Sequence, residues 1–483
     1  MATRSIALLL SKTGGPPFHG SVGYVNDAIA PILAHRGWNT RAFAPPRGQG
    51  QEALLPLALA SQLAALDGDA RPDVALYDAA ATSVVRAPSR GTARRNAMLY
   101  HGLAYGAGSW MGSPGVDLHL ANSPYLARVL RAFFAFPNWQ RRECLNPAGL
   151  QAVVDLPLPL PCVEEPDGHP GFTIGAELPA HVRRALDGDV IWGHALQPGK
   201  NDWFATLAIL VWLDMLRGAA RLPRIALLIP QGALGRELRA ALDGMLPPGR
   251  SCDDYFLEVP LLRQCALFEV MRACRFGLAY GPVPESFGFY ALESVHNGCP
   301  FHTNGAGNLR FLLPAGHGLR VHEGFDMVPG PQGEQDPSAY RAVAERILSD
   351  LARPQAVADE CARGAALIRE RHSLDAFGRA LGNALDTLDS TSPAPPAFDD
   401  LHVQLSPLVR ALDPATGRVH CDYASTTLAP DAVAALRQLV GQPCSALASR
   451  DMQALESSHR LFARGLLTLA PAGAVAAPAS ALA

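Results

Sequence analysis

The sequence lacks the cysteine and export patterns of secreted or zinc-bound domains. Its nine cysteines form no Cys-x-x-Cys pair and no Cys/His spacing typical of a zinc site. An odd, unpatterned set of this kind is typical of reduced thiols. The first apolar run, Ile6 to Leu10, is too short for the core of a signal peptide and much too short to span a bilayer. We therefore expect a cytoplasmic protein in which this run is a buried strand.

The chain also lacks an excess of charge of either sign. Its formal net charge at neutral pH is -3, and charged residues make up 18% of it. A strongly basic face is the usual electrostatic footprint of a protein that binds nucleic acid. Nucleic acid is therefore not an expected partner.

Apolar residues, glycine and proline are abundant instead. Hydrophobic residues make up 48% of the chain, and 44 glycines and 41 prolines supply many turns. A chain of 483 residues is too long for one core, so we expect two or three domains built from many short elements. The bias toward Ala, Arg, Pro and Gly is typical of a high-GC bacterial genome.

Strand-like and helix-like segments alternate in two series, which predicts parallel sheets covered on both faces. The first series predicts strands at Ser5–Ser11, Thr40–Ala44, Val74–Asp78, Met98–His101 and Leu118–Asn122, with helices at Val22–His35 and Tyr125–Phe134. The second predicts strands at Val190–Gly193, Ile225–Pro230, Phe256–Pro260, Phe276–Tyr280 and Pro300–Thr303. Its predicted helices are Trp203–Arg217, Leu234–Met245, Arg263–Ala273, Phe287–Asn297, Asn308–Leu313, Pro337–Ala352 and Leu374–Leu388.

Proline-rich stretches mark the predicted domain boundaries. Residues 156–189 are rich in Pro, Gly and charge and fit a connection between domains, and Ser392–Pro396 is typical of a linker. We therefore predict domains at 1–165, 166–391 and 392–483. The last is an extension with two helix-like segments, and its Ala/Pro-rich end is expected to be disordered.

The strongest functional signal lies around two glutamates. Glu285 and Glu293 are eight residues apart, which along a helix is about 12 Å. That separation suits two hydroxyl-bearing parts of one extended ligand. Gly288, near a helix start, lets the backbone approach an anion, and the free N–H groups there favour phosphate. An ordinary helix start, with Glu285 as an N-terminal charge and Glu293 solvated, fits the spacing equally well, so the residues alone leave both interpretations open.

The segment from Pro284 to Pro300 resembles the Glu-x7-Glu signature of retaining glycosyltransferases of family 4 (glycosyltransferase group 1). The likeness includes Ser286, Phe287 and Gly288 after the first glutamate, and Gly-x-Pro after the helix. It extends more weakly over about residues 5–390. It implies an α/β protein of the GT-B fold, with two facing Rossmann-like, doubly wound domains and a cleft between them. The N-terminal domain would take the acceptor and the C-terminal domain a nucleotide-sugar donor.

That resemblance assigns functions to the motif residues. Glu285 would contact hydroxyls of the donor sugar, and Glu293 the ribose of the nucleotide. Ser286, Phe287 and Gly288 would also line the donor site.

A second stretch, from Trp192 to Lys200, resembles the family's loop that holds the diphosphate with an Arg and a Lys. Lys200 matches the Lys, but His194 stands at the Arg position and Asn201 replaces a Gly. A histidine can replace the arginine charge only when protonated, and then without the fixed guanidinium fork. A lysine taken out of this order would usually be a solvated loop residue.

Two N-terminal features resemble the family as well. Gly14, Gly15 and Gly20 form a loop similar to its first glycine loop, which approaches donor and acceptor. His101 stands where the family carries a His near the sugar. By this resemblance Gly15 binds the donor and His101 is catalytic. Glycines after a strand are also common turn formers, and a lone histidine is more often structural.

One further motif departs from the family's Gly-Gly-x-x-Glu. Here the run is Ala306 to Arg310, so Gly307 can still offer a backbone N–H to the donor, whereas Arg310 reverses the charge of the Glu. We hypothesise that Arg310 supplies the positive charge missing at His194.

The resemblance implies transfer with retention of configuration, without a metal or a cofactor. A UDP or GDP sugar is the expected donor, and the acceptor, whether glycan, lipid, natural product or peptide, stays open. Asp253 and Asp254 form a loop pair before a strand and make no metal motif. Two other functions remain: a GT-B enzyme of another reaction, such as an epimerase or a phosphorylase-like enzyme, or a non-catalytic nucleotide-sugar-binding protein.

One basic, aromatic stretch has two interpretations. Arginines alternate with aromatic residues between Arg128 and Arg142, which fits either peripheral contact with a membrane or an ordinary helix that covers the sheet. We favour the covering helix.

Overall fold

A computed structural model describes most of the chain. The described residues are 4–10, 21–43, 71–78, 93–102, 116–141, 153–163, 178–197, 199–219, 221–262, 264–281, 284–322, 337–388, 397–406, 408–413, 415–421, 425–447 and 452–471. By their contacts they form two compact units. Unit 1 comprises the described residues up to Pro159 and from Leu374 onward, and unit 2 comprises those from Leu160 to Ser373. No helix in these ranges is both long and apolar enough to cross a bilayer.

The first part of unit 1 is a parallel sheet with helices. Its strands are β1 (Ser5–Leu9), β2 (Asn39–Phe43), β3 (Val74–Asp78), β4 (Arg95–Tyr100), β5 (Leu118–Ala121) and β6 (Val153–Asp155), in the order β2-β1-β3-β4-β5-β6. Every neighbouring pair is parallel. Among the residues that the structure describes here, the helices are α1 (Ser21–His35) and α2 (Pro124–Arg141). Strands β3 and β5 are buried along their whole length, as expected for a sheet covered on both faces.

Unit 2 repeats this layout with a second parallel sheet. Its strands are β7 (Ile191–His194), β8 (Ile225–Pro230), β9 (Phe256–Val259), β10 (Phe276–Ala279), β11 (Phe301–Thr303) and β12 (Leu319–Val321). Its helices are α3 (Ala180–Leu186), α4 (Trp203–Arg217), α5 (Arg236–Asp243), α6 (Gln264–Ala273), α7 (Phe289–His296), α8 (Pro337–Leu351) and α9 (Pro354–His372). The strand order is β12-β11-β10-β7-β8-β9, so the chain moves outward from β7 to β9 and then crosses to β10 on the other side of β7.

Helices α4 and α8 pack together over one face of this sheet. Apolar residues of α4, among them Leu207 and Leu210, share a core with Val343 and Ile347 of α8. Asp202 caps α4, because its carboxylate accepts from the backbone N–H groups of the two residues that follow Trp203. The position of α4 is therefore fixed at its start by a cap and along its length by burial.

The chain returns to unit 1 at α10 (Leu374–Asp386), which packs on α1. Two glycines allow this close approach. A Cβ at Gly378 would lie 2.9 Å from Ile32 Cγ2, and one at Gly382 would lie 2.6 Å from Arg36 Nη1. By these contacts α10 belongs with the first unit, because it buries its apolar face there, and the predicted domain boundaries at 165 and 391 stay predictions.

The C-terminal segment folds onto helix α2 of unit 1. It contains β13 (Leu401–Leu405), β14 (Val409–Asp413), β15 (Arg418–Cys421), β16 (Ser425–Thr427), α11 (Pro430–Leu439), α12 (Cys444–Leu447), α13 (Met452–Ala463) and β17 (Leu467–Pro471). Strand β13 pairs with β17, and β14, β15 and β16 form an antiparallel sheet. Both predicted helices of this segment are present, whereas its strands were not predicted. Most of the Ala/Pro-rich end lies outside the described residues.

The aromatic residues of α2 are used in this packing. The ring of Trp139 stacks on Phe462 with centroids 4.6 Å apart, and Phe136 lies edge-on to His459. Phe134 is buried, while Phe133 is 45% exposed. The geometry agrees with the favoured interpretation of this stretch as a covering helix.

Candidate functional site

The candidate site lies in unit 2, at the carboxyl ends of β7 and β10. These two neighbouring strands are where the strand order reverses, and ligands of open α/β sheets bind in the crevice outside such a reversal. Residues 195–202 follow β7, residues 280–288 follow β10, and residues 304–308 follow β11. The loops therefore meet at one edge of the sheet.

Lys200 and Glu285 form an ion pair across the first two loops. The Nζ of Lys200 lies 2.6 Å from Glu285 Oε2, and Gln197 Nε2 donates to the same oxygen at 3.3 Å. The Lys200 side chain is 43% exposed and that of Glu285 is 13% exposed. Ion pairs with this much exposure contribute only about 0–1 kcal/mol to stability. Stability alone therefore does not account for a lysine, a glutamate and a glutamine that converge on one point.

The scarcity of lysine elsewhere in the chain strengthens this conclusion. Lysine occurs only at positions 12 and 200, although lysine and arginine together number 41. Arginine thus carries nearly all the positive charge, and a general need for solvated cations does not explain Lys200. An ammonium is a compact charge on a flexible stem, which differs from a planar guanidinium in how it meets phosphate. This signal is present in the sequence, although no family motif contains it.

The backbone around Glu285 is held by the segment after β11. Glu285 and Gly307 form a parallel bridge, in which the backbone N–H of Asn308 donates to the Glu285 carbonyl at 2.8 Å. Gly307 has φ +64°, and a Cβ there would lie 2.5 Å from the Glu285 carbonyl oxygen. Asn308 Nδ2 also donates to the Phe287 carbonyl at 2.6 Å. Gly307 therefore has a demonstrable structural task, whereas donation from its N–H to a donor stays a prediction.

Helix α7 begins later than predicted. Its N-cap is Gly288, with φ +106°, and a Cβ at this position would lie 2.7 Å from Leu312 Cδ1. The first helical residue is Phe289, so Glu285 precedes the helix and is not a charge in its first turn. The predicted separation of about 12 Å requires both carboxylates to be on the helix, and it is therefore wrong because Glu285 lies before it.

Glu293 is buried, which rules out the solvated interpretation. The residue is 6% exposed, and its Oε1 accepts from Gln264 Nε2 at 2.9 Å. Gln264 is the first residue of α6, which follows β9. Two glutamines, Gln197 and Gln264, thus hold the two glutamates of the motif. Neither was predicted, because their pairing depends on chain segments that meet only in the folded sheet.

His194 is held in a buried hydrogen-bond network. It is fully buried at the end of β7, with Nδ1 2.5 Å from Tyr290 Oη and Nε2 3.0 Å from Ser294 Oγ. A Cβ at Gly277 would lie 2.7 Å from the ring, so this glycine leaves the imidazole its room. Burial lowers the pKa of His194 to about 3. The imidazole is therefore neutral at physiological pH and lacks the charge of the family's arginine, and its role at a diphosphate stays a prediction.

The hydrogen bonds of His194 connect the β7 loop to α7. The backbone N–H of Leu196 donates to Tyr290 Oη at 2.7 Å, so the hydroxyl proton of Tyr290 points to His194 Nδ1. The opposite ring nitrogen then donates to Ser294, whose hydroxyl donates to the Cys299 carbonyl at 3.0 Å. This chain of bonds fixes the start of the loop that ends at Lys200.

Asn201, the other departure in this loop, also braces it. Its Nδ2 lies 3.4 Å from the carbonyl oxygens of Ala195 and Gln197. The side chain thus links the start of the loop to its end.

The remaining predicted residues of unit 2 lie near this loop cluster. Phe287 is buried against Phe289 and His372, so its ring is part of the packing. Ser286 and Arg310 are half-buried, and the Arg310 guanidinium lies 4.7 Å from the centroid of the Phe311 ring. The predicted helix at this point is a short 3-10 turn, Asn308–Phe311. Contacts of Ser286 and Arg310 with a donor stay predictions.

His101 belongs to unit 1, where it follows β4. Its Nε2 lies 3.1 Å from Asn26 Oδ1, and Asn122 Nδ2 donates to its carbonyl at 2.8 Å. Its part in a site with Lys200 and Glu285 stays a prediction. Gly15 lies outside the described residues. In the described part of the chain, no group of three or more His, Cys, Asp or Glu side chains is arranged to hold a metal ion.

Comparison with known proteins establishes the fold. Neither a protein-family model nor a curated protein matches the chain. Among solved structures, a UDP-forming α,α-trehalose-phosphate synthase from Burkholderia vietnamiensis is similar, with a TM-score of 0.50 and 12% identity over 80% of this chain and 99% of that one. The chain has the GT-B fold. The prediction of two Rossmann-like, doubly wound halves is thereby confirmed.

Two other solved structures are similar at lower scores. A glycosyltransferase from Rickettsia africae has a TM-score of 0.49 and 10% identity, over 81% of this chain and all of that one. HepE from Anabaena, in complex with UDP and glucose, has a TM-score of 0.47 and 13% identity, over 80% of this chain and all of that one. At such identities the likeness extends to the fold only, so the activity must be argued from this chain's own residues.

Proposed function

We propose that the protein is a glycosyltransferase that moves a sugar from a nucleotide-sugar donor to an acceptor hydroxyl, with retention of configuration and without a metal. The observation that carries this proposal is the convergence of Lys200, Gln197 and Glu285 at the reversal of the strand order, with Glu293 buried on α7. One cation, one accessible carboxylate and one buried carboxylate match the three parts of such a donor: diphosphate, sugar and ribose.

Each charged group then has a chemical task. Lys200 stabilises the negative charge that grows on the leaving diphosphate, and a fixed charge of this kind is worth several kcal/mol in the transition state. When the diphosphate replaces Glu285 as the ion-pair partner of Lys200 Nζ, the Glu285 carboxylate can accept hydrogen bonds from sugar hydroxyls. Glu293, held by Gln264, accepts from the ribose.

The bonds balance without a protein nucleophile. The bond between the anomeric carbon and the diphosphate oxygen breaks, and the acceptor oxygen bonds to the anomeric carbon on the same face. The acceptor proton passes to the departing phosphate. The protein contributes positioning and electrostatic stabilisation.

Because His194 is neutral and buried, the second positive charge at the diphosphate, which the family's arginine supplies, must come from another residue. Arg310 is the proposed source. Under this proposal Arg310→Ala raises KM for the donor, while Arg310→Lys, which keeps a charge, raises it less. An unchanged donor affinity in Arg310→Ala would remove Arg310 from the site.

A UDP sugar is the first donor to test, since the trehalose-phosphate synthase of similar fold is described as UDP-forming. A GDP sugar is the second. The acceptor is a glycan, lipid, natural product or peptide, and we place the reaction in the cytoplasm. Nucleic acid is not a proposed partner.

The test measures nucleotide release from UDP-, GDP- and ADP-sugars by the purified protein without acceptor. We expect slow release from one donor, reduced about 10²- to 10³-fold by Lys200→Ala and by Glu285→Gln. The matched control is Glu345→Gln, which removes an ion pair of 2.8 Å to Arg341 on the surface of α8 in the same unit. This control should leave release unchanged. Equal release from the two site variants and the wild type would contradict the proposal.

A second candidate function is a non-catalytic nucleotide-sugar-binding protein. The burial of His194, which leaves the family's arginine position without a charge, favours it. In that case UDP or GDP would bind in calorimetry, while no donor would be hydrolysed and no acceptor glycosylated.

A further inference from the structure

Three polar side chains meet at the carboxyl ends of the unit 1 strands. Asp78, the last residue of β3, is completely buried, and Asn26 of α1 is 1% exposed. Asn26 Nδ2 donates to Asp78 Oδ2 at 2.8 Å, and Asn26 Oδ1 lies 3.1 Å from His101 Nε2. The three groups thus form a chain from the carboxylate through the amide to the imidazole.

The direction of each bond follows from the chemistry of the groups. The Asp78 carboxylate only accepts, so the amide of Asn26 must turn its NH₂ toward it. The Asn26 oxygen then faces the imidazole, and because an amide oxygen also only accepts, His101 Nε2 must donate. In neutral His101 the proton is therefore on Nε2, and Nδ1 carries the lone pair.

This arrangement also fixes the ring in space. Asn122, which is 1% exposed, donates from Nδ2 to the His101 carbonyl at 2.8 Å and so holds the backbone at the end of β4. The bond to Asn26 holds the ring from the other side. Strands β3 and β4 are neighbours in the sheet, so the chain of bonds spans their carboxyl ends, beside the reversal of strand order between β1 and β3 where ligands of open α/β sheets bind.

A buried carboxylate and amide are a costly way to fill this position. A buried hydrogen-bonded polar pair is often no more stable than well-packed apolar residues of the same volume. Orientation of His101 is a task that apolar residues at positions 26 and 78 would not perform.

We propose that Asn26 and Asp78 are positioning residues that fix the ring of His101, with its proton on Nε2, for its part in the transfer reaction. Only the part of His101 in the transfer reaction rests on the proposed function. The tautomer and the fixed ring are properties of the protein without substrate, so they are tested separately.

The first test is ¹⁵N NMR of protein labelled in histidine, with the His101 signals assigned from His101→Gln. In the wild type we expect the ring shifts of an Nε2–H tautomer. Asn26→Ala should move them toward a mixture of tautomers, while the signals of His119, which is bonded to Tyr100 within the same sheet, stay in place. Unchanged His101 shifts in Asn26→Ala would overturn the inference.

An exchange of the two side chains provides the decisive control. In Asp78→Asn alone, the amide at 26 is no longer forced to face position 78 with its NH₂, so it can turn over and offer that NH₂ to His101 in place of its oxygen. In the double variant Asn26→Asp, Asp78→Asn, the new amide at 78 donates to the new carboxylate at 26, which still accepts from His101. We expect the single variant to lose the Nε2–H signature and the double variant to regain it. Failure of the exchange in a folded protein would refute the proposed chain of bonds.

The second test is kinetic. Asn26→Ala should lower kcat for nucleotide release about 10- to 100-fold with little change in the donor KM, and the exchange variant should recover most of the loss. Full activity in Asn26→Ala, with the tautomer lost, would overturn the positioning role. If the wild type releases no nucleotide from any donor, the proposed function fails, while the NMR measurements still decide whether Asn26 and Asp78 fix His101.

Discussion

The backbone of Glu285 depends on a glycine, and this dependence gives a quantitative prediction. Gly307 has φ +64° and ψ −127°, a backbone conformation that is unfavourable for every residue other than glycine. In Gly307→Ala the new Cβ would lie 2.5 Å from the carbonyl oxygen of Glu285 and 2.7 Å from the backbone nitrogen of Glu285. Both contacts are with backbone, so the two segments must part by roughly 1 Å before the contact becomes ordinary.

The magnitude follows from two costs. Backbone strain of this kind costs about 1–3 kcal/mol, and overpacking adds about 1–3 kcal/mol. A displacement of about 1 Å at a catalytic group can cost about 100-fold in rate. We therefore expect Gly307→Ala to lower the free energy of unfolding of unit 2 and to reduce kcat/KM for nucleotide release about 100-fold.

The matched control is Gly298→Ala. Gly298 also has a positive φ, +83°, but nothing lies within 4 Å of the position of its Cβ. Its substitution should cost only the left-handed strain of about 1–2 kcal/mol. That cost corresponds to a fall in Tm of about 2–4 °C per kcal/mol for a unit of this size. Thermal unfolding and nucleotide release are measured for both variants, and equal behaviour of the two would refute the reasoning.

Three further predictions concern the groups that hold the site. Because burial lowers the pKa of His194 to about 3, its contribution to stability is complete above the unfolded pKa of about 6.5 and is lost as the pH falls toward 3, at about 1.4 kcal/mol per pH unit. His194→Gln should therefore make the fall in Tm between pH 6.5 and 4 shallower, and an identical pH profile would contradict a buried neutral imidazole. Tyr290→Phe removes the hydroxyl that accepts from Leu196 N–H, and it should raise the KM for the nucleotide-sugar donor. Its change in Tm should be smaller than that of His194→Arg, which buries a charge. Circular dichroism measures the Tm, and titration with the nucleotide sugar measures the KM. Gln264→Ala should weaken binding of the nucleoside diphosphate but not of inorganic pyrophosphate, because it removes the hydrogen bond that holds the Glu293 carboxylate in position for the ribose. Equal weakening of both in calorimetry would contradict the contact between Glu293 and the ribose.

Local patterns were sufficient to predict much of the fold. Helix α4 has the predicted bounds, Trp203–Arg217, because Asp202 caps an unbroken apolar helix. Strands β3 and β8 also match residue for residue, since each is a short apolar run between turns. Helix α9, in contrast, was not predicted, although it has 19 residues. The C-terminal strands were also missed; β13 pairs with the distant β17, whereas β14, β15 and β16 are short strands of three to five residues that pair with their neighbours in the chain.

The site was predictable only as far as single motifs reach. Lys200 and Glu285 were both singled out, and the structure brings them together. The environment of His194 was not foreseeable, because Tyr290 and Ser294 come from a helix about a hundred residues along the chain. The same reason hid Gln197, Gln264 and Asn26, whose importance arises from partners that only the folded sheets bring near. A motif identifies residue types, whereas protonation and orientation depend on tertiary contacts.

The most direct measurement of the central claim uses the scarcity of lysine. With lysines at 12 and 200 only, reductive ¹³C-methylation keeps the charge and gives two side-chain signals, and Lys200→Arg assigns them. The Lys200 signal is then followed while UDP, GDP and their sugars are added to the protein. The account predicts that one nucleotide sugar shifts the Lys200 signal with a saturable profile, and that Glu285→Gln alters its starting position because the ion pair is lost. A nucleotide sugar that binds while the Lys200 signal stays unmoved would contradict the account.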